Sequence, residues 1–550
     1  EMVIRDWSSD VCSSDLLCDY SRFATILDCE LSAAYHLNCG IGFYCAGSLE
    51  EASLEFDEAL KIDSNYANAW NNKAFTLAEI SNYADALENY CKALQLDPTL
   101  AQAWNGQGKA LLQLGKYWDA LEAFEKATEI KTSMIDAWEG KGEACIKVGK
   151  CTEALEAFDK TLELKPDFAQ AWYGKGLAHE TLGSNEEALA EYDKALKLEP
   201  QNAEAWYSKA TVQWKLGRFQ KALEAFDRAL EIRPEDARIW NEKGALFNEL
   251  GMHEEALEAF TNVTDIEPDN AKIWFNKGTL LEKIGRNEEA LQSHIRATEI
   301  EPKLTEAWYG KGKVYETLGQ QQSALEAFTR ATDLQPDNAQ AWYSRGILLQ
   351  KLEKGKEALQ SYEKALDHEP DITGAWYGKA VILAELGKHE KALAAFKKVT
   401  DLDPENVQAW YNRGKMLAES GKYLEALAAL ENASSNDNNK AGIWYYKGIA
   451  YEGLEKYEKA LEAFANTTEL EPDNAQAWYR LGNVHERFGK CEEALHDYER
   501  SLKINAGLFD VWGSKGRALL KLGQYRDSMM AFEKALDIDP THADILYSKG

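Results

Sequence analysis

Tryptophan recurs at positions 70, 104, 138, 172, 206, 240, 274, 308, 342, 376, 410, 444, 478 and 512: fourteen times, each 34 residues after the last, with no insertion or deletion. A period this long and regular means that one supersecondary unit is stacked many times. Other positions keep the same register. Four residues after each Trp stands Gly or Ala, as in Gly176, Ala210 and Gly244, and sixteen after it stands Ala in thirteen copies, with Ser528 the exception. Twenty after it the residue is mostly Phe or Tyr, with His294 and Leu430 departing. All 11 prolines fall 28 after a repeat Trp, from Pro98 to Pro540.

This spacing predicts two helices per unit. Trp172, Gly176 and His179 share one face of a first helix, and Gly183 sits where a helix C-cap belongs. Ala188, Leu189, Tyr192 and Ala195 form the apolar stripe of a second helix, which Pro200 ends. Small residues such as Gly176 and Ala188 let the two helices approach closely while Trp172 and Tyr192 fill the space beside that contact. One hairpin leaves an apolar face uncovered, so neighbours must stack on it. Length alone would suggest three or four domains; the register predicts a single array of about fifteen units.

These residues, the W-x3-G and A-x3-F spacings and the following Pro at a 34-residue period, resemble the tetratricopeptide repeat family over roughly residues 33–550. The resemblance implies an all-α fold, an α-α superhelix or solenoid of helix-turn-helix repeats. Residues 67–542 read as fourteen repeats and 17–66 as degenerate ones, with His36 where Trp belongs; 543–550 opens a further repeat, with Leu546 at the Trp position. Asp6–Leu16 resembles the conceptual translation of a sequencing-library adapter, so residues 1–16 are expected not to be native, and both ends read as truncated. In one respect the chain departs from the family. Three residues after the Trp, where the family usually has Leu, stands Lys or Arg in twelve copies, for which a structural role is expected, with the methylenes laid along the neighbouring helix and the charge kept in water.

The resemblance also implies that first helices line a concave groove and that the residue after each Trp points into it. That residue is aromatic at Tyr173, Tyr207, Phe275, Tyr309, Tyr343, Tyr377, Tyr411, Tyr445 and Tyr479. Amides such as Gln170, Gln340 and Gln408, and carboxylates such as Glu180, Glu282, Glu316, Glu452 and Glu486, are expected beside this ladder. Tyr offers a rigid contact surface with a polar tip, and amides can hydrogen-bond an extended peptide. Packing between repeats is an equally good use of the same rings. The expected function is a non-catalytic protein-protein interaction scaffold that takes up neutral or basic peptide or protein segments. The alternative is the recognition arm of a larger enzyme whose catalytic domain lies outside this chain. The Lys and Asn pair with which some family members clamp acidic C-termini is not met: no copy has the Lys, and only Asn483 fits the second place.

Composition narrows the partners. Lys+Arg 62 against Asp+Glu 92 gives a net charge of −30, which disfavours the phosphate contacts of a nucleic-acid groove. Nine cysteines without CxxC pairs predict reduced thiols in a cytoplasmic setting and no zinc or other metal. No HExxH or GxxxxGK[ST] motif is present, and no cofactor is expected. The charge-free stretch Leu31–Leu49 holds too many glycines and polar groups to span a membrane. Between Leu430 and Asn439, ASSNDNN replaces the Pro-terminated turn, which predicts a weak junction.

Overall fold

The computed structural model describes residues 33–539; the adapter-like stretch and the segment from 540 onward lie outside them. Among the described residues run thirty helices and no strand, in fifteen consecutive pairs from Ala33–Cys45 with Leu49–Ile62 to Phe509–Lys521 with Tyr525–Ile538. The chain divides into two compact units, one running to Asp269 and the other beginning at Asn270. Within each unit every helix packs against its neighbours in sequence, and many successive first helices also touch, as in a solenoid.

The turn inside each pair is closed by the Gly eleven residues after the Trp. Gly183 has φ 78°, its N–H bonds Glu180 O at 3.0 Å, and Ser184 N–H bonds His179 O at 2.9 Å, the paired closure of a Schellman cap. Three copies lack glycine there, and Ser81, Glu353 and Glu455 nevertheless adopt φ 62°, 57° and 57°. The packed hairpin imposes the left-handed turn on side chains that disfavour it.

The Ala sixteen after each Trp is buried throughout, with 0% exposure from Ala86 to Ala494. The ring twenty after the Trp is keyed between two first helices. A Cβ on Gly108 would lie 2.7 Å from the Phe124 ring, and one on Gly140, in the next pair, would overlap the same ring. Around Phe124 small residues are thus needed on both sides, and the one in the same pair, four after the Trp, is Gly or Ala in every copy.

The Pro and the Trp act on each other. Trp172 and Trp206 donate their indole N–H to Pro166 O and Pro200 O at 3.1 and 2.9 Å. Where Pro is absent the bond persists, from Trp138 to Thr132 O at 2.8 Å and from Trp444 to Asn438 O at 3.0 Å. Proline therefore contributes its fixed φ and not a special acceptor.

The basic residue three after the Trp clamps neighbouring pairs. Lys175 Nζ sits 5.3 Å from the Trp172 ring centroid and 2.7 Å from Asp159 on the preceding second helix; Lys209 repeats this with Trp206 at 4.8 Å and Asp193 at 2.7 Å. Such a partly desolvated cation over an indole contributes about 0.5 to 2 kcal/mol.

Candidate functional site

All nine aromatic residues after the repeat Trp lie on first helices and are half-buried. Tyr173 and Tyr207 belong to the first unit, and Phe275 through Tyr479 to the second. Their rings rest on the core ring of the same pair: Tyr173 on Tyr192 at 5.8 Å between centroids, Tyr207 on Phe226 at 6.1 Å, Phe275 on His294 at 5.7 Å and Tyr309 on Phe328 at 5.8 Å. Tyr343, Tyr377, Tyr445 and Tyr479 do the same with Tyr362, Phe396, Phe464 and Tyr498 at 5.8 to 6.2 Å. Tyr411 differs, because Leu430 offers no ring, and meets Tyr446 at 6.0 Å instead.

Several hydroxyls reach forward to the next pair. Tyr173 and Tyr309 share hydrogen bonds with Ser208 and Ser344 at 3.3 Å, and Asn412 Nδ2 donates to the Tyr377 hydroxyl at 3.1 Å. Burial pushes the Tyr173, Tyr207, Tyr343 and Tyr411 hydroxyls up from their ordinary value; at Tyr207 the nearby Glu242 adds to it. Packing between repeats is therefore part of what these residues do, and each remains only partly exposed.

The carboxylates eight after the Trp are not a free acidic row. Glu180 pairs with Lys215 at 2.6 Å and accepts from the Tyr192 hydroxyl at 2.8 Å. Glu316 pairs with Lys351 at 2.7 Å, Glu452 with Arg480 at 2.9 Å and Glu486 with Lys521 at 2.8 Å. Glu282 bonds His294 at 2.7 Å and Lys313 at 3.1 Å; burial pushes its carboxyl up, but these two contacts outweigh that and hold it below the usual range. Each of these carboxylates thus has a basic partner, several of them placed nine residues after the next Trp, a cross-repeat match that motif reading passed over.

Three groups escaped the sequence reading although each breaks the repeat pattern. Glu139 occupies a ladder position, and burial pushes its carboxyl up to about 6. Trp214 and Glu242 stand where no other copy has Trp or Glu, eight and two residues after the repeat Trp. Both help line an open groove of about 1100 Å3 in the first unit, walled by the helices Ala169–Thr181, Ala203–Lys215 and Ala237–Glu249.

The helix pairs and their 34-residue register match the tetratricopeptide repeat family over residues 140–203, 181–237, 207–261, 343–406, 383–440 and 445–508. Further tetratricopeptide repeat matches cover 65–133, 259–292, 305–338 and 509–542. The chain belongs to this family. Among solved structures, the tetratricopeptide repeat array here is similar to MamA from Desulfovibrio magneticus RS-1, with 26% identity over 30% of this chain and 95% of that one, at a TM-score of 0.30. It is similar to YrrB, a TPR protein with an unusual peptide-binding site, with 27% identity over 34% of this chain and 94% of that one, TM-score 0.30. A chain of the APC/C hetero-tetramer Cut9-Hcn1 matches at 16% identity over 88% of this chain and 96% of that one, TM-score 0.33. No curated protein matches the chain.

As a tetratricopeptide repeat array the protein is a protein-interaction scaffold, a fold that is in general non-catalytic. Among the described residues no helix is long and apolar enough to cross a membrane, and no cluster of His, Cys, Asp and Glu is arranged to hold a metal ion. Cys145 is buried, which pushes its thiol up to about 11 and leaves it a poor nucleophile at neutral pH.

Proposed function

We propose that the first-helix faces of each unit bind extended, neutral or basic segments of partner proteins, with Tyr173, Tyr207, Phe275, Tyr309, Tyr343, Tyr377, Tyr411, Tyr445 and Tyr479 as the repeated contacts. The observation that carries this reading is the ladder itself: nine aromatic side chains in one register, each seated on a core ring or a neighbouring tyrosine and each partly open to solvent. A ring held in place before binding loses little conformational freedom on contact, so its apolar area converts efficiently to affinity. The net charge of −30 disfavours acidic segments and nucleic acid.

The test is the triple variant Tyr377→Ala, Tyr411→Ala, Tyr445→Ala in the full chain, compared with the parent by partner capture and by thermal unfolding. Partner binding should fall severely while the melting temperature falls by a few degrees. A collapse of the fold with no separate effect on binding would mean that the ladder only packs.

A further inference from the structure

The repeats are close copies, so a residue type that occurs at its position once in fourteen copies marks a local difference, even where, as at Trp214, one side of the ring also packs on the core of its own pair. Two such residues, from adjacent repeats, meet in the groove of the first unit. Trp214 stands eight residues after Trp206, where the other copies have Ala, Leu, Ile, Glu, Asn or Gln. Glu242 stands two residues after Trp240, where others have mostly Gly, Ser or Asn. Both line the same open cavity of about 1100 Å3, together with Tyr173, Tyr207 and Glu249. That volume lies just above the range of about 300 to 1,000 Å3 typical of ligand sites.

The charges of this groove are only partly matched within the protein. Glu180 is neutralised by Lys215 at 2.6 Å, and Glu204 by Arg233 at 2.7 Å and Arg238 at 2.8 Å. Glu249 accepts the Trp214 indole N–H at 2.7 Å, which orients both groups but leaves the carboxylate its full negative charge. Glu242 makes no hydrogen bond or ion pair among the described residues. Among the described residues, two carboxylates without an ion pair therefore stand on the Ala237–Glu249 helix, against a single cation of the lining without one, Lys147, in a groove shared with the half-buried rings of Tyr207 and Trp214. The protein already sets a guanidinium against one of these rings, with Arg238 Cζ 5.5 Å from the Tyr207 centroid.

We propose that this groove is the docking site for an extended partner segment presenting an arginine, whose guanidinium lies against Trp214 and is neutralised by Glu242 and Glu249. Arginine fits better than lysine because its planar fork can stack on an indole and meet carboxylates with two hydrogen bonds at once, whereas an ammonium is a compact and more strongly hydrated charge. The proposal rests on the general reading that first-helix faces bind protein segments, and adds where in the first unit this happens and which chemistry is chosen.

The experiment uses the full chain and fluorescein-labelled octapeptides of alternating Arg and Gly, Lys and Gly, and Glu and Gly, followed by anisotropy at 0.15 M salt. The arginine peptide should bind saturably, the lysine peptide several-fold more weakly and the glutamate peptide not at all. Glu242→Gln and Trp214→Phe, chosen to leave the packing in place, should each weaken the arginine peptide about tenfold. Removing two exposed charges on a second helix, Glu492→Gln with Glu493→Gln, should leave it unchanged. No saturable binding, equal binding of the arginine and lysine peptides, or equal weakening by the control pair would overturn the proposal. The triple tyrosine variant alters the other unit and should bind this peptide as the parent does, so its loss of partner and a failure here are separate results.

Discussion

The repeat that begins at Trp376 keeps every feature of the pattern, and its neighbour, beginning at Trp410, loses two. The first has Phe396 in the core and Pro404 at its end; the second has Leu430 and Asn438. Both junctions nevertheless hold the next indole alike, with Trp410 N–H on Pro404 O and Trp444 N–H on Asn438 O, each at 3.0 Å. Leu430 is as buried as Phe396, at 0% and 1% exposure, and Tyr446, from a position that elsewhere holds mostly a small residue, packs beside it. What does change is the turn. Both keep a side-chain bond two residues on, from Glu405 N–H to Asp403 Oδ1 at 3.3 Å and from Asn439 N–H to Asp437 Oδ1 at 3.0 Å, but the first adds a backbone bond from Asn406 N–H to Asp403 O at 3.2 Å that has no counterpart at the second. A repeat position is thus held by several neighbours at once, and a single departure costs little because the others absorb it.

The regular repeat should be the easier one to damage. Ala392→Leu places a large side chain at a fully buried contact and is expected to destabilise by about 1 to 3 kcal/mol, read as a lower melting temperature. The matching Ala426→Leu should cost less, since Leu430 can change rotamer where a keyed ring cannot; equal costs would break the comparison.

Departures from the pattern should be recoverable. Glu139 replaces a ladder residue, and its carboxyl is pushed from an ordinary 4.5 up to about 6 by burial. The native state holds this proton more tightly than the unfolded chain, so stability falls as pH rises from about 4.5 through 6. Glu139→Gln is expected to raise stability by about 1 to 2 kcal/mol at pH 7.5 and to give no gain at pH 4.5, measured by unfolding at both. Glu455, held at φ 57° where most copies have Gly, should give about 0.5 to 1 kcal/mol on substitution by Gly, seen as a higher unfolding midpoint.

The smallest effect is expected at the irregular junction. Asp437 already has the extended backbone that precedes Pro, at φ −148° and ψ 105°, so Asn438→Pro should stabilise by about 0.4 to 1 kcal/mol. Amide exchange across Asp437–Lys440 should be faster than across Asp403–Asn406 in the parent and approach it in the variant. Equal exchange in the parent would remove the weak junction.

The placement of the candidate ladder was legible in advance because it sits on the same lattice as the fold. Tyr173 and its eight counterparts could be placed on first helices from their register alone. How much of each ring packs and how much stays open was not legible, since that depends on the ring of Tyr192 or Phe396 beneath it and on the next pair in front. The pairing of Glu180 with Lys215 was hidden for the same reason: the partners are 35 residues apart, and no local period joins them. Trp214 and Glu242 were readable only as exceptions, and an exception carries no meaning until the fold puts it beside another.

By itself the sequence determined the helix pairs, their turns and the identity of each core position, because spacings of four, eleven, sixteen and twenty residues from a repeated Trp leave one way to bury the small and aromatic residues together. Only the tertiary structure decided which charges remain available. Ion pairs and open ring faces form across neighbouring pairs, at distances set by how closely the glycines let helices approach, and one-dimensional periodicity contains no such distances.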